Sequence, residues 1–110
     1  MTWLIDPLAP LKPAPEYLAW VRSQPSAATG MVGCIAHHRI GYRHSQRKVD
    51  DFQTLPLTDA EHKRLHDKGV HEFEQECGRT EWEMIGRTLH AAVKAGVLVL
   101  DKKRAHALGG

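Results

Sequence analysis

Five histidines fall into two groups, Ala36-His37-His38 and His62-Lys63-Arg64-Leu65-His66 followed by His71. His62 and His66 are four residues apart. On a helix they share one face, one turn above each other, where two imidazoles reach the same metal ion. A third imidazole from His37 gives three protein ligands and an open position, the arrangement of a catalytic rather than a structural metal site. His38 is then left as a base. A divalent ion held this way binds a scissile phosphate oxygen and stabilises the departing 3′-oxygen. A histidine titrating near neutral pH deprotonates the attacking water. Imidazole suits zinc, nickel, cobalt and copper better than magnesium, which prefers oxygen.

A carbonyl must hold the other nitrogen of that base so that the correct tautomer faces the water, and Gln53 is the candidate. Arg39, Arg43, Arg47 and Lys48 form a stretch with no acidic residue, whereas five glutamates and a single arginine lie between Glu72 and Glu83. This asymmetry points to one face meant for phosphates, with Lys63 as a further contact from the helix. His71 is a candidate extra ligand or phosphate contact. One geometric difficulty attaches to the doublet. Neighbours on a regular strand point to opposite faces, so His37 and His38 share a site only where the strand ends or twists, and Gly41 offers such an end.

The elements that must position these residues can be read from pattern. Pro15 suits a first helical turn, with Tyr17, Leu18, Val21 and Trp20 as an apolar stripe that Pro25 ends. Residues 32–40 read as a strand and 52–57 as a second one. Thr58-Asp59-Ala60-Glu61 is a capping box, so a helix starts at Thr58, carries His62 and His66, and ends at Gly69. A further helix is expected over 70–77. Thr80-Glu81-Trp82-Glu83 is a second capping box, opening a helix with Trp82, Ile85, Leu89, Ala92 and Val93 as its apolar face. Gly96 interrupts it, and 97–100 fits a strand or a last helical turn. The order strand, loop, strand, helix is a ββα unit in an α+β fold, with additional helices flanking it.

The 110 residues suffice for one domain, expected over 15–100 between a proline-rich arm (1–14) and a tail (101–110). A hydrophobic fraction of 42% and a charged fraction of 25% are ordinary for a soluble globular protein, and the net charge of +2 does not itself announce nucleic acid. No apolar run spans a bilayer, and the start of the chain lacks a signal-peptide pattern, so a cytoplasmic protein without a membrane partner is expected. Cys34 and Cys77 are expected as reduced, partly buried small hydrophobes.

The chain resembles the HNH, or ββα-metal, endonucleases, most closely the small phage and prophage proteins related to the RecA-dependent Ref nuclease. The resemblance is carried by Tyr17-Leu18-Ala19-Trp20-Val21-Arg22-Ser23-Gln24-Pro25, by Ala36-His37-His38, by Leu55-Pro56-Leu57, and by Glu61, His62, His66 and Gly69. It implies His38 as general base and His37, His62 and His66 as ligands of one divalent ion (zinc, magnesium, manganese or nickel). It also implies DNA as the substrate and a RecA-type filament as a candidate partner. Gln53 falls where many members carry the name-giving asparagine, with Asp51 as a rival for the orienting role. Many relatives also carry Cys-x-x-Cys pairs where this chain has Ser26, Thr29, Thr58 and Glu61. Hydrogen bonds are therefore expected in place of a zinc clip. The reading is a one-metal hydrolase leaving 5′-phosphate and 3′-hydroxyl ends. The alternatives are a non-catalytic, metal-braced nucleic-acid-binding module and a phage interaction module.

Overall fold

Two capping boxes set the frame of the molecule. The computed structural model describes residues 13–40 and 49–98. The elements run α1 (Pro15–Arg22), β1 (Cys34–His38), β2 (Thr54–Thr58), α2 (Asp59–Lys68), α3 (Val70–Cys77) and α4 (Glu81–Lys94). The fold is mixed α+β: one two-stranded antiparallel sheet followed directly by a helix, with three further helices around it. At the start of α2, the Thr58 side chain accepts from the Glu61 N–H while the Glu61 carboxylate accepts from the Thr58 N–H, and Thr80 and Glu83 do the same for α4. Each box satisfies donors that a helix start leaves unpaired. Gly69 and Gly78, both at positive φ, end α2 and α3.

The strands are shorter than the sequence pattern indicates. β1 begins at Cys34 rather than at residue 32, because Gly33 turns the backbone at φ +85° and leaves Met31 and Val32 exposed. β2 begins at Thr54 rather than at residue 52. The preceding residues form a turn in which the Phe52 N–H donates to Asp50 Oδ1 and the Gln53 N–H to the Asp50 carbonyl. The register pairs His37 with Leu55 and His38 with Thr54.

The hairpin separates two apolar clusters. Leu55 and Leu57 pack with Leu65, Val70, Phe73, Met84 and Ile85 of the three later helices. Ala36 and Phe52 pack instead against Tyr17, Val21 and Ala92, so α1 covers the other side. In α4 the buried residues are Glu81, Met84, Ile85, Thr88 and Ala92. The expected apolar face is thus rotated: Trp82 is 57% exposed and Val93 39%, while an acidic residue, Glu81, goes inside. The helix stops at Lys94, ahead of Gly96, and 97–98 form a bend. Positions 99–100, the arm through residue 12 and the tail lie outside the described residues. Cys34 is buried, Cys77 partly so, and both are free thiols. Among the described residues no helix is long and apolar enough to cross a membrane.

Candidate metal centre

The capped start of α2 fixes the phase of that helix. Leu65 is thereby driven into the core, and His62 and His66 are brought toward β1, from which His37 reaches across. One nitrogen of each imidazole lies within 4.8 Å of one from each of the other two. His62 Nε2 and His66 Nε2 are 3.0 Å apart. The ring centroids are separated by 4.5 Å (His62–His66), 5.1 Å (His37–His62) and 6.1 Å (His37–His66), with the planes steeply inclined. Imidazole nitrogens about 2.0–2.1 Å from a tetrahedral ion would sit about 3.3 Å from each other, with centroids about 5 Å apart. The cluster therefore fits one ion with little movement, and the all-nitrogen donor set suits zinc or nickel better than magnesium.

Burial falls steeply across the three ligands. His37 is 2% exposed, His62 half-buried and His66 exposed, so the cluster opens to solvent on one side. Burial holds the His62 imidazole below its ordinary value, reinforced by His37 and His66, with Asp59 pulling the other way. A neutral imidazole is the form that binds a metal.

His38 does not join this cluster. It shares a strand face with Ala36, whose side chain packs on the α1 side, and its Nε2 lies 2.8 Å from Asp51 Oδ1. The doublet is thus split across the sheet as strand geometry requires, yet consecutive Cα atoms are only ~3.8 Å apart. The His38 side chain is 42% exposed. Asp51 is anchored on its other oxygen by the Ala14 N–H at 2.8 Å. Burial pushes the Asp51 carboxyl up, but the hydrogen bonds from His38 and Ala14 outweigh it and hold the group below its ordinary value.

Gln53, expected on His38, turns elsewhere. Its Oε1 accepts from Arg39 Nε at 3.0 Å, and its backbone carbonyl accepts from the Arg39 N–H. The turn at 50–53 brings Asp51, not Gln53, to the His38 ring. Arg39 lies across the exposed Trp82 ring, 4.6 Å from its centroid. Lys63 is exposed and pairs with Asp67 one turn on. His71 is exposed on α3 and stands apart from the three-histidine cluster. Arg43, Arg47 and Lys48 lie outside the described residues.

Two acidic residues outside the expected ligand and base set bear on the centre. Glu81 lies 2.8 Å from His37 Nε2, and both side chains are buried. Its only sequence signal, an acidic residue in a helix's first turn, is explained as well by the helix dipole. The second is Glu61, which does more than cap. Its Oε1 accepts from Ser26 Oγ at 2.6 Å and from the Thr58 N–H, and its Oε2 accepts from Thr29 Oγ1. Ser26, Thr29, Thr58 and Glu61 are thus joined by hydrogen bonds that tie the 26–29 turn to the helix of His62 and His66.

A family model described as "Protein of unknown function (DUF968)" matches residues 1–96. Over 85 residues the chain is 36% identical to "Uncharacterized protein YdfU" of Escherichia coli (strain K12), covering 76% of this chain and 24% of that protein. The chain thus spans about a quarter of the length of that relative. No solved structure matches.

Proposed function

The chain belongs to the DUF968 family, and we propose that it is a metal-dependent DNA endonuclease with a ββα-metal (HNH) core. The observation that carries the reading is a three-imidazole cluster on β1 and α2, open on one side, with a carboxylate-held histidine at the next residue of the strand. A purely structural metal site has no use for the second feature. The exposed His66 leaves access for a phosphate.

When bound, a divalent ion supplies Lewis-acid stabilisation of the phosphate and of the departing 3′-oxygen. The residues of the chain handle the proton and the substrate. Asp51 accepts the Nε2–H of His38, which leaves the Nδ1 lone pair of that ring as the base. Nδ1 takes a proton from water as the oxygen bonds to phosphorus and the P–O3′ bond breaks; the departing 3′-oxygen takes a proton from solvent, giving 5′-phosphate and 3′-hydroxyl ends. Asp51 stabilises the imidazolium that forms, as a carboxylate does for the histidine of a hydrolase triad. Arg39, held by Gln53 and Trp82, contacts a flanking phosphate, and the positive charges of Arg43, Arg47, Lys48 and Lys63 make binding salt-dependent. A role in phage or prophage DNA processing, with a RecA-type filament as partner, belongs to the same reading.

The test is cleavage of supercoiled plasmid and of single-stranded DNA with Mg²⁺, Mn²⁺, Ni²⁺ or Zn²⁺. Metal-dependent nicking that His38→Ala abolishes without loss of metal binding supports the nuclease. Tight metal binding with no cleavage under any metal, with or without a recombinase filament, would leave the metal as a brace in a DNA-binding module.

A further inference from the structure

We propose that Glu81 is a positioning residue of the metal centre: its carboxylate holds the Nε2–H of His37 and so commits the His37 Nδ1 lone pair to the ion. The inference rests on the metal-site reading and extends it by a residue outside the ligand set and by naming the ligating nitrogen.

The chemistry follows from one contact. His37 Nε2 and Glu81 Oε2 are 2.8 Å apart, with side chains 1% and 2% exposed. An ionised carboxylate can only accept, so the hydrogen belongs to Nε2. A neutral imidazole that carries its proton on Nε2 offers its lone pair at Nδ1. Rotation of the His37 ring would break a buried hydrogen bond to a charged group, so the ring orientation is fixed before any ion arrives.

Among the described residues, two backbone contacts also hold Glu81. Its Oε2 also accepts from the Ile40 N–H at 3.1 Å, just past the end of β1, and its own N–H donates to Glu74 Oε2 at 2.7 Å. The Thr80 capping box sets it as the first residue of α4. The sequence Thr80-Glu81 thus delivers a carboxylate to a strand more than forty residues upstream. Carboxylates that accept from the free nitrogen of a metal-ligating histidine fix the tautomer and raise the basicity of the ligand, and their loss typically weakens metal binding 10- to 100-fold. Three neutral imidazoles bring no negative charge of their own, so a carboxylate one ring away supplies a buried counter-charge for the ion.

Isothermal titration with Ni²⁺ and Zn²⁺ on the full chain tests this directly, comparing wild type, Glu81→Ala and Glu81→Gln. Glu81→Ala is expected to bind about 10- to 100-fold more weakly, and Glu81→Gln, which keeps a carbonyl acceptor, to lose less. Long-range ¹H–¹⁵N spectra of the wild type should show His37 with Nε2 protonated and Nδ1 shifted by the metal, a signature that a merely structural salt bridge would not produce. Glu81→Ala binding as tightly as wild type, or His37 Nε2 as the metal-shifted nitrogen, overturns the proposal. If Glu81→Ala does not fold, Glu81→Gln and the wild-type spectra still decide it. A wild type that binds neither ion overturns the metal reading itself, and this inference with it.

Discussion

Neighbouring side chains in this protein do opposite work. His37 is enclosed and paired with Glu81, whereas His38 is half in solvent and paired with Asp51. Removing Asp51 should therefore act on chemistry far more than on folding. Asp51→Asn is expected to reduce plasmid nicking by about 10²- to 10⁴-fold, the range for a misplaced general base, with metal affinity unchanged. An unaltered nicking rate would dismiss the His38–Asp51 pair as the proton acceptor. The same substitution has a smaller, pH-dependent effect on stability. Because hydrogen bonds hold the Asp51 carboxyl below its ordinary value despite burial, its contribution is present above the unfolded pKa of about 3.9 and is lost as pH falls through the folded value. A contribution of up to about 1 kcal/mol fits a pair this exposed. Urea midpoints of wild type and Asp51→Asn should differ at pH 7 and draw together as pH falls below the unfolded value; a gap that does not change with pH would mean that the carboxylate charge is not its source. His37→Ala should cost much more, about 3–5 kcal/mol, because it takes the imidazole away from a buried carboxylate. His66→Ala, at an exposed position, should leave the stability of the metal-free protein nearly unchanged by the same denaturation measurement.

At the scale of elements, what was legible in the sequence is what is encoded locally. Both capping boxes, the ends of α2 and α3, and the four-residue spacing of His62 and His66 depend on residues within a turn of each other, and all stand in the structure. The His37-to-helix convergence was legible too, because a doublet at a strand end and an i,i+4 pair on the next helix leave few other arrangements. Long-range polar pairing was not legible. Nothing in the spacing of Glu81 marks it as the partner of His37 forty-four positions earlier, and the apolar pattern of α4 argued instead for Trp82 inside. Gln53 and Asp51 were separable only by the turn at 50–53, whose hydrogen bonds decide which side chain faces the strand. Glu61 combines the two cases, a local cap that also holds a distant turn. Glu61→Ala leaves Ser26 Oγ, Thr29 Oγ1 and the Thr58 N–H without their acceptor, and Ser26 is only 5% exposed. A loss of about 1–3 kcal/mol is expected in chemical denaturation, against about 1 kcal/mol for Thr58→Ala, which removes only the cap. Equal losses for the two would show that the contacts to Ser26 and Thr29 contribute nothing beyond the cap.

Across the whole molecule the candidate centre is also a cross-link. Its ligands come from β1 and α2, and Glu81 adds α4, so three elements converge on one point. An ion that binds the folded centre and not the unfolded chain stabilises the fold by mass action, about 2.7 kcal/mol at a free concentration one hundred times Kd. For a domain of this size each kcal/mol moves the melting temperature by about 4–8 °C, so saturating Ni²⁺ or Zn²⁺ should raise Tm by about 10 °C or more, and chelation should reverse it. The gain must shrink as pH falls through the histidine range, because protons compete for the same imidazole nitrogens. His62→Ala provides the control. His62 is only half-buried and belongs to neither apolar cluster, so the metal-free variant should melt close to wild type while its metal-induced shift collapses. A full shift retained in His62→Ala would place the stabilising ion elsewhere on the chain. No shift in the wild type would mean that the three imidazoles meet without holding a metal, and that the 3.0 Å His62–His66 contact is a hydrogen bond between neutral rings and nothing more.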